Sequence, residues 1–95
     1  MNNSINLGQV AITTKKVLRK QSYIVKAIHD DEGYWIFLDE EQSINEINSS
    51  VLSLGEVLEI DPTIGELLEM SINKQAVRKN HDCSWIISDF FYEED

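Results

Sequence analysis

Ninety-five residues, 42% hydrophobic and 26% charged, with two Trp, three Tyr and three Phe, suit a single domain at 1–95. Such a chain is too short for a second core and too rich in aromatics to stay disordered, although its small core predicts modest stability. The net charge of −9 is unevenly placed: residues 1–26 carry five cations and no acid, while between Lys26 and Lys74 there are twelve acids and no Lys or Arg. A block of that kind repels phosphate and steers basic surfaces toward itself, so nucleic acid is set aside as a partner.

Met1–Leu7 shows neither the basic nor the apolar region of a signal peptide, and no window reaches the length of a membrane span. The expectation is a cytoplasmic protein with no membrane partner. Cys83 is the single cysteine and has no internal disulfide partner, which agrees with a reducing compartment.

Taken in order, Gln9–Thr14 reads as a first strand, with Val10 and Ile12 two apart and β-branched residues dominant. Lys15–Lys20 is a basic connection, either a helical turn or a bent strand. Ser22–His29 reads as a second strand that turns through the acidic, Gly-ended link Asp30–Gly33 into Tyr34-Trp35-Ile36-Phe37-Leu38. That short link predicts an antiparallel hairpin, and the uninterrupted apolar run predicts a central strand buried on both faces. Glu40–Ser50 is polar and reads as a loop with at most one helical turn.

Ser53–Ile60 and Thr63–Met70 repeat one pattern at a spacing of ten residues, and both read as short helices. Ser53 with Glu56 forms a capping box, and Asp61 caps the second helix with Pro62 at its first position, where the missing N–H costs nothing. Leu54, Val57 and Leu58, like Ile64, Leu67 and Leu68, follow the spacing of a buried stripe that leaves Glu56, Glu59, Glu66 and Glu69 outward. Gln75–Lys79 and Ser84–Ser88 read as further strands around a turn at Asn80–Cys83, with Phe90–Tyr92 extending the last and Glu93–Asp95 frayed. The fold class expected is α+β, a mostly antiparallel sheet of four to five strands with two short helices packed on one face.

The residues offer little catalytic chemistry. His29, His81 and Cys83 lack the spacing of a zinc site or of an activated thiol, and Cys83 reads as an inert or partly buried side chain. Asp30, Asp31 and Glu32 are separated from Asp39, Glu40 and Glu41 by a strand that holds the two clusters roughly 17 Å apart, too far for an acid–base pair. The acid and Gly order of a calcium loop is absent, and isolated glycines make no phosphate loop. No enzyme, metal or cofactor is therefore expected. Trp35 and Trp85 read as core anchors, with an exposed interface position as the alternative.

The order of elements resembles the immunity protein 33 family of bacterial polymorphic-toxin systems. The resemblance is carried by Ala11-Ile12-Thr13, Gly33–Phe37 leading to Asp39-Glu40, Leu54, Val57-Leu58, Asp61-Pro62, Ile64, Leu67-Leu68 and Val77-Arg78, over about residues 8 to 80. Tyr34, inserted between Gly33 and Trp35, and the aromatic tail after Cys83 depart from the family pattern. The resemblance implies a protein that binds and neutralises a cognate toxin. Its motifs are core and capping positions, so the interface is read from charge instead: Asp30, Asp31, Glu32, Asp39, Glu40, Glu41, Glu56 and Glu59 toward a basic toxin surface, with Tyr34 or Tyr92 as the desolvated contact. The alternative is a regulatory or housekeeping domain that forms a homodimer through a sheet edge and has no toxin partner.

Overall fold

A computed structural model describes residues 6–92, so the start of the chain and the acidic end Glu93–Asp95 lie outside the described residues. β1 (Val10–Thr14) runs into a single helical turn, α1 (Lys15–Leu18), which settles the basic connection as helix. Thr14 makes that turn possible, because its hydroxyl accepts the Val17 N–H at 3.2 Å and so caps it. The hairpin follows as expected: β2 (Lys26–His29) pairs antiparallel with β3 (Trp35–Leu38). Its turn closes through Asp30 N–H to Tyr34 O at 3.0 Å and Gly33 N–H to Asp30 O at 3.1 Å, with Gly33 at φ +87°, a region that glycine enters without strain.

The sheet has six strands among the described residues, in the order β4-β1-β3-β2-β5-β6. The strand not foreseen is β4 (Ser49–Ser53), which pairs antiparallel with β1. Its sequence SSVLS buries only Leu52, so it lacks the alternation that announces a strand, and the ladder to β1 holds it instead. β1 and β3 are parallel, and every other pairing is antiparallel. β5 (Lys74–Val77) and β6 (Ile86–Asp89) complete the far side, and Phe90–Tyr92 does not extend the last strand. Ser22–Val25 also stays outside the ladder, apart from Val25, whose N–H donates to Leu38 O at 2.9 Å and whose carbonyl accepts the Arg78 N–H at 3.0 Å.

α2 (Leu54–Ile60) begins with the capping box, in which Glu56 N–H donates to Ser53 Oγ at 3.1 Å and Ser53 N–H to Glu56 Oε1 at 2.9 Å. A six-residue 3₁₀ helix (Pro62–Leu67) follows, capped by Asp61, whose Oδ1 accepts the Thr63 N–H at 3.0 Å. Leu54, Val57, Ile64 and Leu67 are buried and join Ala11, Ala27, Trp35 and Phe37 in one core. β3 is central as expected and buried on both faces except at Ile36: Trp35 and Phe37 meet the helices, and on the other face Leu38 is buried while Ile36 is half-buried. No helix among the described residues is long and apolar enough to cross a membrane. Phe37 is fully buried, so Phe37→Ala is expected to lower stability by about 3–5 kcal/mol in urea denaturation, because a core this small refills such a cavity poorly.

Candidate functional site

The strand registers decide how the acidic residues are distributed. Asp31 and Glu32 stand at the tip of the β2–β3 hairpin, and Glu40 and Glu41 follow the other end of β3. Glu56 and Glu59 lie on α2, around a shallow hollow of about 170 Å³ that they share with Leu18, Lys20 and Ile60. The nine residues read from charge and aromaticity are therefore divided among three places and do not form one patch.

Two of the carboxylates belong to the fold. Asp30 is 4% exposed: Oδ1 accepts the N–H groups of Glu32 at 3.0 Å and Tyr34 at 2.9 Å, and Oδ2 accepts the Tyr92 hydroxyl at 2.9 Å. Asp39 is 2% exposed, with Oδ1 accepting the Glu41 N–H and Oδ2 the Thr14 hydroxyl, each at 3.0 Å. Since Thr14 in turn caps α1, Asp39 ties the end of β3 to the end of β1. Both aspartates brace turns at opposite ends of the hairpin, and burial removes them from any surface contact.

Among the rest, Glu41 is exposed but pairs with Lys16 at 2.6 Å, and that hydrogen bond, followed by the Glu41 charge, raises the Lys16 pKa. Glu56 is occupied by the capping box. Asp31, Glu32, Glu40 and Glu59 are exposed and make no ion pair or side-chain hydrogen bond among the described residues. Tyr34 is half exposed at the hairpin, near Asp31 and Glu32.

The residue that sequence reading did not single out as a site is Arg78, just past β5. Its side chain is almost wholly buried. Nε and Nη2 donate to Ile24 O at 3.0 and 2.7 Å, Nη2 also reaches Asp61 Oδ2 at 2.6 Å, and Nη1 donates to Thr63 Oγ1 at 3.1 Å. Trp85 covers the guanidinium at 4.1 Å from ring centre to Cζ and donates its indole N–H to Thr63 Oγ1 at 3.3 Å. Trp85 thus sits half-buried at the core margin, whereas Trp35 is a core anchor stacked on His29 at 4.0 Å. Part of the signal for the hub was present: an Arg just past a strand, and an Asp before the chain's only Pro.

The histidines take separate roles. His29 Nδ1 lies 2.7 Å from Met70 O, while His81 stacks on Tyr23 at 3.9 Å. Antiparallel pairing of β2 with β5 puts them at opposite ends of the sheet. No group of three or more His, Cys, Asp or Glu is placed to hold a metal ion among the described residues. Cys83 is exposed, so of the two readings, inert or partly buried, the second does not hold: the turn after Asn80 carries it outward.

No family model, curated protein or solved structure matches the chain.

Two outcomes follow from this geometry. Asp61→Asn or Arg78→Met leaves half of a buried pair behind and is expected to cost about 3–5 kcal/mol by chemical denaturation; Arg78→Lys cannot rebuild the fork and is also expected to destabilise. Tyr92 is the second case. Desolvation, then its bond to the Asp30 carboxylate, pushes its pKa up from 10.0 to about 12. The raised value means the contribution is intact below pH 10 and is lost as pH rises through about 12. In an absorbance titration, Tyr92→Phe is expected to remove the phenolate component that appears near pH 12.

Proposed function

We propose that this chain is a cytosolic binding protein of the immunity type, which neutralises a cognate bacterial toxin by covering a basic surface on it. The observation that carries this reading is the set of outward carboxylates Asp31, Glu32, Glu40 and Glu59, in a stretch of chain with no Lys or Arg of its own. The family resemblance in the sequence supports it. In this mechanism the carboxylates take the place of substrate phosphates opposite Lys and Arg of the toxin. Each exposed pair contributes at most about 1 kcal/mol, so the charges chiefly accelerate and orient the encounter. Tyr34, half exposed at the hairpin between the acids and the sheet, supplies the contact that loses water.

The test is co-purification with the tagged chain from its native host, with the bound protein identified by mass spectrometry. A basic, toxin-like protein is expected, its capture reduced about ten-fold or more by Asp31→Asn, Glu32→Gln, Glu40→Gln and Glu59→Gln together. Raising salt from about 50 mM to about 500 mM is expected to weaken the same complex. Capture indifferent to both changes would remove the electrostatic mechanism, and recovery of no toxin-like protein would remove the reading.

A further inference from the structure

Among the described residues the sheet has two edges, β4 and β6, and only the first is closed. In an antiparallel pair, residues that bond across the ladder alternate with residues whose N–H and C=O point away from it. Lys15 N–H to Asn48 O and Leu54 N–H to Gln9 O fix that alternation for β4, so Ser49, Val51 and Ser53 turn their backbone groups outward. Two of those N–H groups are taken within the chain: Ser49 donates to Asn45 O at 3.0 Å and Ser53 to Glu56 Oε1 at 2.9 Å. The loop before β4 and the capping box after it thus shut that edge against a further strand.

β6 has no such cover. Phe90 N–H donates to Asn73 O at 2.8 Å, and the register Ser88 to Gln75 and Ile86 to Val77 continues that bonded set, which turns Ile87 and Asp89 outward. The N–H groups of Ile87 and Asp89 have no partner among the described residues. The strand also lacks the devices that blunt an edge, since it holds no Pro and no Lys, and its single charge, on Asp89, is tied back to Lys74. Ile86 and Ile87, 66% and 51% exposed, offer one aliphatic side chain on each face of the sheet.

We propose that the outer edge of β6 receives an extended, basic segment of a partner protein as a seventh strand. Backbone hydrogen bonds to Ile87 and Asp89 supply the attachment, and two adjacent β-branched residues of the segment meet Ile86 and Ile87, one on each face. Charge selects the occupant. From Asn80 to the end of the chain there are five acids and no Lys or Arg. Tyr92, just past β6, bonds to Asp30 and feels the charges of Asp31 and Glu32, so the end of the open edge lies against the acidic tip of the hairpin. A second copy would bring those acids against one another, whereas lysines flanking an added strand meet them favourably. The proposal rests on the reading of a basic partner given above: Asp31 and Glu32 steer the partner, and the strand beside them holds it.

The test uses a capped peptide, Lys-Thr-Val-Ile-Thr-Lys, titrated into the full chain to about 5 mM at about 20 mM salt and followed by amide NMR. Saturable shifts centred on Ile86–Asp89 are expected, with hydrogen exchange of the Ile87 and Asp89 amides slowed about ten-fold or more in the bound state. The same peptide N-methylated at both Val and Ile keeps its charge but loses the ladder, and is expected to bind about ten-fold more weakly or worse. Ile87→Pro removes an outward donor, leaves the Ile86 and Ser88 bonds to β5 in place, and is expected to weaken binding as much. Absence of saturable binding overturns the proposal, as do shifts centred elsewhere or equal affinity for the methylated peptide. A chain that dimerises by itself, and becomes monomeric with Ile87→Pro, makes a second copy the occupant and also overturns it. If Ile87→Pro unfolds, the methylated peptide decides. Toxin capture undiminished by a folded Ile87→Pro would end this proposal and leave the immunity reading standing, while peptide binding at β6 with no toxin recovered would do the reverse.

Discussion

A buried guanidinium holds the two halves of this small fold together. The Arg78 side chain is 2% exposed, so its charge is tolerable only because Asp61, the Ile24 carbonyl and the Thr63 hydroxyl surround it, with the Trp85 ring on one face. Those partners come from four separate stretches: the approach to β2, the break between α2 and the 3₁₀ helix, the first turn of that helix, and the link into β6. Asp61 serves twice, one oxygen capping the 3₁₀ helix and the other meeting Arg78. Helix capping and sheet assembly are thereby coupled through one carboxylate, so neither can loosen without exposing an ion to an apolar surrounding.

The same economy governs the acidic block. Its charge looks uniform in the sequence, yet Asp30 and Asp39 are buried turn braces, Glu56 is a cap, and Glu41 is tied to Lys16. An exposed and an internal carboxylate are written with the same letter. They differ in whether neighbouring backbone N–H groups point at them, and turn geometry decides that. What remains outward is a sparser charge set, separated by the length of the hairpin, which suits long-range steering better than a compact binding pocket.

Much of the architecture was legible in local chemistry. The hairpin at Asp30–Gly33, the capping box at Ser53, the Asp61-Pro62 start and the central position of Trp35–Leu38 all follow from residues that have few alternatives. Elements whose existence depends on a distant partner were less legible. β4 exists because β1 offers it a ladder, and β1 lies parallel to β3 because α1 and the approach through Ser22–Val25 carry the chain across before the hairpin returns. The Arg78 hub escaped for the same reason: nothing in its own neighbourhood of sequence predicts Ile24 or Thr63 as partners. The candidate site was legible as composition, while which acids face outward depended on the fold.

Among the described residues β6 pairs with one neighbour only, and all four of its residues are exposed. Little apolar burial opposes its local opening; its ladder to β5, the Lys74–Asp89 ion pair at 2.5 Å and the Gln75–Ser88 hydrogen bond hold it, with the Trp85 contact with Arg78 before it and the Tyr92 bond to Asp30 after it. Its backbone amides should therefore exchange with solvent well ahead of those in β1 and β3, and the chain behaves as a five-strand unit with a final strand fastened at both ends by aromatic side chains.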